Sequence, residues 1–425
     1  MRIRNIRIKK VPFEIILFTI IVLITENFMY LVDLKKIKIP GSFNIQDINI
    51  VVYLVFFILV YIKYIRFKRY RYMQCYLILL PIILVITSSI KANEVYGQPL
   101  MLGIRPQRFF ILTYLLYFPL KRMFECNKKS IEYVKKILIG IGTIELFLYI
   151  AQYLLINKVI FLSMRVSQRF GEVRLPFESL LLLLFPFIII NELLNKRNIR
   201  RNFILLALSF FYIVVVLKTR MVMISMVSVV TFLILIYKSG INKKVISIFL
   251  LIIVGVIAVN TEIGQSYIQS ISSENRAVDP NSLIRKEAQK FYITETAKSP
   301  ITGRGYVNIL YKNSVVMSRY DKGYYFNDNG IIGFYYLYGA IGVMWLIIFF
   351  IYMLKKGYYL YKKKNNYCYL GYSIYNIITC ITMLYCYAQN GAFYLTVILV
   401  ILQYETNQDD NLNNSTDYKK LELKR

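Results

Sequence analysis

Apolar runs recur along the chain with short polar turns between them, at 12–32, 48–65, 74–90, 107–124, 137–156, 176–193, 202–217, 221–237, 245–260, 329–354, 367–387 and 391–404. Many of them approach or exceed the ~18 apolar residues that span a bilayer as a helix. The pattern predicts an all-α polytopic membrane protein with about twelve transmembrane helices. One interval breaks the rhythm. Residues 261–328 are polar, lie between the ninth and tenth runs, and form the one long loop. The expected organisation is a bundle over 1–260, this loop over 261–328, a second part of the bundle over 329–405, and a disordered tail over 406–425. The tail carries Asp409, Asp410, Asn411, Asn413 and Asn414 and has few apolar residues to bury.

The loop has structure of its own. Pro280-Asn281-Ser282 reads as a helix start, and Ile284, Ala288, Phe291, Tyr292 and Glu295 follow at three-to-four spacing. That predicts a helix from about 283 to 298 with one mostly apolar side, free to lie on the membrane surface or on the bundle. Pro300, Gly303 and Gly305 stop it and force a turn. After Asp328, helical spacing brings Ile332, Tyr335 or Tyr336, and Gly339 onto one face.

Composition agrees with a membrane protein: 57% of residues are hydrophobic and 18% charged, where a soluble domain carries about 25% charge. The net charge of +30 does not read as a nucleic-acid surface, because Lys and Arg sit in short clusters between apolar runs. Alternating loops weighted by these clusters put both termini in the cytoplasm and the long loop outside. No small-residue cleavage site follows Arg2-Ile3-Arg4, so the first run is expected to be an uncleaved span. The five cysteines, Cys75, Cys126, Cys368, Cys380 and Cys386, include no CxxC pair and none lies in the loop, which predicts neither a disulfide framework nor a zinc site. Histidine is absent. Neither a glycine-rich phosphate loop nor a nucleotide site is present, so a soluble nucleotide sugar is not the expected donor.

Candidate chemistry gathers on the outward side. Arg105, Arg108, Arg165, Arg169, Arg174, Lys218, Arg220, Arg285, Arg304 and Arg319 oppose the topological charge bias. Arginine forks match phosphate and carboxylate oxygens in pairs. Taken singly, such residues also serve as headgroup contacts that snorkel from span ends. Lys218-Thr219-Arg220 stands out, because two cations fall in a tight turn between apolar runs. Asp328 at the mouth of the tenth span has two readings, a proton acceptor from a sugar hydroxyl or a helix N-cap. Glu145 falls near the middle of the fifth span and Glu26 toward the outer end of the first. A carboxylate at mid-bilayer costs about 2.5–3.5 kcal/mol, and a functional acid and a neutral or paired structural acid between helices are both open readings. Tyr324 and Tyr325 have the chemistry to stack on sugar rings.

Arg285 with its helix, Ser299-Pro300-Ile301-Thr302-Gly303-Arg304-Gly305, and Asp328-Asn329 with Gly339 ten residues on together resemble the outer loop of the O-antigen ligase and polymerase superfamily. Lys218-Thr219-Arg220 resembles that family's Ser-Arg turn, and Arg169-Phe170-Gly171 with Pro176 resembles its entry to a span. The resemblance covers roughly 165–350. It implies a fold like the C-type membrane glycosyltransferases and an undecaprenyl-diphosphate-linked oligosaccharide as substrate. It also implies transfer at the outer face of a bacterial cytoplasmic membrane, with a flippase and a chain-length regulator as partners. Asp328, Arg220 and Arg285 are then the expected catalytic residues. Arg169, Arg174, Lys218, Arg304, Arg319, Asn329 and Arg105 are the expected diphosphate or glycan contacts. No metal or other cofactor is implied, since cationic side chains can stabilise a departing diphosphate. The ligases of the family place a histidine in this loop, whereas here Asp328 stands at that position, which favours a repeat-unit polymerase. The alternatives are transfer of a lipid-linked glycan to another acceptor and a flippase. Transporters usually show two similar halves, and none are visible here.

Overall fold

The computed structural model describes residues 11–32, 45–64, 75–164, 166–169, 172–175, 179–238 and 280–422. The expected span at 245–260 and the first part of the loop, 261–279, lie outside them. The first helices are α1 Phe13–Thr25, α2 Ile45–Lys63, α3 Cys75–Tyr96, α4 Leu100–Leu115, α5 Tyr117–Cys126 and α6 Lys129–Leu154. A small antiparallel hairpin follows, β1 Ser167–Arg169 and β2 Glu172–Arg174, with Arg169 opposite Glu172. Beyond it come α7 Leu180–Leu194, α8 Ile199–Phe211 and α9 Arg220–Ile236. The later elements are α10 Pro280–Thr296, α11 Lys312–Met317, α12 Gly330–Lys364, α13 Cys368–Cys380 and α14 Gln389–Glu422. Among the described residues, four stretches are long and apolar enough to cross a membrane: Leu77–Tyr96, Lys129–Leu154, Ile199–Leu217 and Phe326–Lys364. Phe13–Thr25, Ile48–Lys63, Leu180–Leu194 and Arg220–Ile236 are shorter apolar helices. α14 continues as helix past Thr406, whose buried hydroxyl donates back to the Leu402 carbonyl at 3.0 Å.

Prolines shape the bundle by what they fail to donate. Within a helix, a proline leaves the carbonyl four residues earlier without its amide partner. In hydrocarbon that carbonyl needs a replacement, because no water is available. Pro81 inside α3 releases the Leu77 carbonyl, and the buried Trp345 indole of α12 donates to it at 3.0 Å. Trp345 also meets the rings of Phe110 and Tyr114 of α4 edge-on. One freed carbonyl thus ties α12 to α3 and α4. Pro119 has a related effect. The single expected span at 107–124 divides between α4 and α5 around Leu116, since Pro119 offers no amide to the Leu115 carbonyl.

The order of α9, α12 and α13 fixes which residues share an end of the bundle. The α9 carboxyl end meets the α13 amino end, where the Tyr361 hydroxyl donates to the Ile236 carbonyl at 2.8 Å and Tyr237 and Tyr367 are 5.9 Å apart. At the other end of α13, a Cβ added at Gly330 would meet the Cys380 carbonyl at 2.4 Å. Arg220, which opens α9, and Asp328, which precedes α12, therefore lie at the same end. Lys135, Glu405 and Lys364 are linked at the opposite end.

The two acids expected inside spans are buried and tied into the bundle. Glu145 of α6 accepts from the Tyr149 hydroxyl and Glu26 accepts from the Tyr394 hydroxyl, each at 2.6 Å. The Glu26 bond ties the end of α1 to α14, while the Glu145 bond stays within α6.

Candidate functional site

Backbone, rather than side chains, seats the loop. α12 is broken at Gly339, whose φ of +63° and ψ of −161° leave the helical region. The expected helical face running through Gly339 therefore stops there. The break strips amides and a carbonyl of their helical partners, and the loop supplies new ones. The Ala340 amide donates to the Pro300 carbonyl at 2.8 Å, and the Ile341 amide donates to the Ile301 carbonyl at 3.2 Å. The Arg304 amide in turn donates to the Tyr336 carbonyl at 2.8 Å. Close approach needs glycine on both sides. A Cβ on Gly339 would stand 2.3 Å from the Ile301 carbonyl oxygen, and one on Gly303, at φ +73°, would stand 2.6 Å from the Gly339 nitrogen.

Three side braces hold the next residues against α3 and α4. Gly305, at φ +90°, lies so close to α3 that a Cβ there would meet the Ser88 carbonyl oxygen at 2.3 Å. The Tyr306 amide donates to the Ser88 hydroxyl at 2.8 Å. Gln98 donates to the Tyr306 carbonyl at 3.0 Å and accepts from the Asn308 amide at 2.7 Å. Asn308 then donates at 2.7 Å to the Leu102 carbonyl, which Pro106 has released. Ser88, Gln98 and Asn308 went unnoticed in the sequence, although Pro106 carried a readable signal.

The predicted helix is α10, and its apolar side faces the bundle. Ala288 and Tyr292 are buried, and the Tyr292 ring lies 4.7 Å from that of Tyr336. The Tyr336 and Tyr96 hydroxyls are 2.6 Å apart. Burial, reinforced by the charge of Asp328, raises the Tyr292 phenol, so it stays a neutral donor to the Tyr324 carbonyl at 2.8 Å.

Asp328 lies in the 3₁₀ turn Phe326–Asn329 that leads into α12. The N-cap position belongs to Asn329, and no side chain caps this helix, so the capping reading of Asp328 is not the observed one. Asp328 is half-buried and its carboxylate has no hydrogen-bond or ion-pair partner among the described residues. Asn329 is buried, its amide nitrogen donating to the Tyr325 carbonyl at 2.8 Å while its Oδ1 finds no partner. Other carboxylates of the outward segments are placed differently. Glu295 pairs with Arg304 at 3.1 Å and with Lys298, Asp321 is exposed, and the side chain of Glu172 lies outside the description.

The expected ligand contacts divide into two kinds. Lys218, Arg174 and Arg304 are drawn into the structure itself. Lys218, left-handed at φ +50°, is buried and donates to the Val173 carbonyl at 3.0 Å beside the Tyr153 ring. Arg174 donates to the Ser167 hydroxyl at 2.9 Å, closing the hairpin, which docks through the Leu175 amide on the Val216 carbonyl. Arg304, besides its pair with Glu295, lies over the Tyr96 ring at 5.8 Å. Arg285, Arg319 and Arg105 are exposed. Arg220 opens α9 and is half-buried. The Arg169 backbone is in β1, while Arg165, Phe170, Gly171 and Pro176 lie outside the described residues.

A scan against protein-family models gives no match, and neither does a search of curated proteins. The resemblance to the O-antigen ligase and polymerase superfamily accordingly stands on the loop motifs. Two of the glycines in those motifs, Gly303 and Gly339, are the two halves of one backbone contact.

Proposed function

We propose that this chain is a membrane glycosyltransferase that polymerises undecaprenyl-diphosphate-linked oligosaccharide repeat units into a capsular, exopolysaccharide or O-antigen-like glycan. The proposed setting is the outer face of a bacterial cytoplasmic membrane. About twelve spans place both termini in the cytoplasm and the loop outside. The observation that carries the reading is Asp328, a half-buried carboxylate without a partner among the described residues, at the same bundle end as Arg220 and Arg285. In this reading Asp328 accepts the proton of an acceptor hydroxyl as its oxygen attacks the anomeric carbon of the donor. The bond from that carbon to the diphosphate breaks, and the diphosphate leaves on the polyprenyl chain. Arg220, Arg285 and Arg319 offset the charge that develops on it. Arg304 and Lys218, committed to Glu295 and Val173, hold the site in shape.

An electrophoretic profile of surface polysaccharide from a deletion strain tests this, with complementation by wild type or Asp328→Asn. The deletion is expected to leave single repeat units, wild type to restore the ladder, and Asp328→Asn to lower polymerisation by about 10²–10⁴-fold. A ladder restored equally by both removes the proton-acceptor role. Unchanged polymer in the deletion removes the polymerase reading.

A further inference from the structure

Adjacent tyrosines that look equivalent in sequence have opposite environments. Tyr324 is buried, its hydroxyl donating to Glu287 at 3.0 Å. Tyr325 is 46% exposed, and its hydroxyl has no partner among the described residues. One face of its ring is covered: Tyr320 stacks on it at 5.9 Å with the planes 22° apart. Tyr320 is itself anchored, since its hydroxyl donates to the Val307 carbonyl at 3.0 Å. Beside that stack nearly half of Tyr325 remains exposed. The Asp328 amide donates to the Tyr325 carbonyl at 3.2 Å, closing a tight turn that joins the two residues. That turn also positions Asn329, whose buried Oδ1 is an unused acceptor. A held aromatic ring and a carboxylate without a partner among the described residues thus belong to one turn.

We infer that Tyr325 and Asp328 form a pyranose subsite, in which the C–H face of a sugar ring packs on Tyr325 while a ring hydroxyl donates to Asp328. An aromatic ring presents a negative face that attracts polarised C–H groups, and a ring already stacked on one side loses little freedom on binding. The subsite rests on the polymerase reading and specifies which group presents the acceptor hydroxyl to Asp328. Tyr325 is a positioning residue in it.

The test uses proteoliposomes of full-length protein and, as probe, the lipid-linked oligosaccharide extracted from the deletion strain. Wild type is compared with Tyr325→Phe and Tyr325→Leu. Leucine keeps an apolar side chain at a membrane border but removes the ring, so it separates sugar stacking from interfacial anchoring. Tyr325→Leu is expected to raise KM about 3- to 10-fold with kcat within about twofold, and Tyr325→Phe to behave as wild type. Thermal midpoints of both variants should match wild type, showing that neither change acts through folding. Polymer made by wild type with an unchanged KM in Tyr325→Leu overturns the subsite and leaves the polymerase reading intact. Equal losses in Phe and Leu assign the effect to the hydroxyl and also overturn the stacking platform. Wild-type proteoliposomes that make no polymer remove the polymerase reading and the subsite with it.

Discussion

Residues 299–308 and 319–329 belong to the same loop, yet the two stretches solve opposite problems. In the first, nearly every polar group is spent: carbonyls of Pro300 and Ile301 and the amide of Arg304 mend the break in α12, and Tyr306 and Asn308 are bound to α3 and α4. In the second, Arg319 and Tyr325 are exposed, and Asp328 and the Asn329 oxygen have no partner among the described residues. Buried polar groups left unpaired are costly, and native proteins keep few of them. Apart from Arg304 Nε, the first stretch is tied down, and the open Asp328 and Asn329 oxygens beside it mark a division of labour, with one stretch holding the loop and its neighbour free to meet a ligand. If that division is real, substitutions in 299–308 act on stability and those in 319–329 act on activity.

The largest effect is expected at Gly305. Alanine there combines a left-handed φ, costing about 1–3 kcal/mol, with a contact of 2.3 Å to the Ser88 carbonyl oxygen that only backbone movement relieves. Gly305→Ala should leave little monodisperse protein in detergent extracts, measured by fluorescence-detected size exclusion. Gly140 is the control, since a Cβ there meets nothing within 4 Å. Gly140→Ala should be neutral or stabilising by up to about 1 kcal/mol. Normal yield of Gly305→Ala would break the comparison at its firmest point.

Next in size is Asn308. Truncation to alanine leaves the Leu102 carbonyl and the Leu310 amide short of a partner, a cost of about 1–3 kcal/mol. The proline offers a rescue. Pro106→Ala restores an amide for the Leu102 carbonyl, so Asn308→Ala with Pro106→Ala should be more stable than Asn308→Ala alone. Thermal midpoints of the two variants check this, and a double variant no better than the single one rejects the freed-carbonyl account.

A smaller effect attaches to the Arg304–Glu295 pair, 17% and 18% exposed. A double-mutant cycle with alanine at both positions should give a coupling of about 1 kcal/mol in stability, read from denaturation midpoints. Were Arg304 a diphosphate contact instead, the cycle would show no coupling and polymer length would change in Arg304→Ala alone.

These cases also show what the sequence made legible. The helix expected from about 283 to 298 is α10, because its apolar spacing is local and strong. The glycines were visible, but their contact was not, since Gly303 and Gly339 meet only through the tertiary fold. The same limit explains Arg304 and Lys218. An outward position at a span end suits a ligand contact or a structural pair equally, and only the placement of Glu295 and Val173 distinguishes them. Tyr324 and Tyr325 could not be told apart for a similar reason: which of two neighbours turns inward depends on the partner that Glu287 and Tyr320 provide.

The smallest expected effects fall on Arg285 and Arg319, and there the two stretches can be compared most finely. Both side chains are exposed, so alanine should change stability by no more than about 0.5 kcal/mol. If they meet a diphosphate, they do so across water and are screened, with a Debye length of about 8 Å at 0.15 M ionic strength. Added salt should then raise the KM of wild-type proteoliposomes for the lipid-linked oligosaccharide. Arg285→Ala and Arg319→Ala should begin with a higher KM and respond less to salt, because the interaction that salt weakens is already gone. Arg304→Ala, by contrast, should lose stability and keep the wild-type salt response, since its charge is matched by Glu295 inside the fold. A salt response that disappears in Arg304→Ala and survives in Arg285→Ala would move the ligand contact from the open stretch to the docked one.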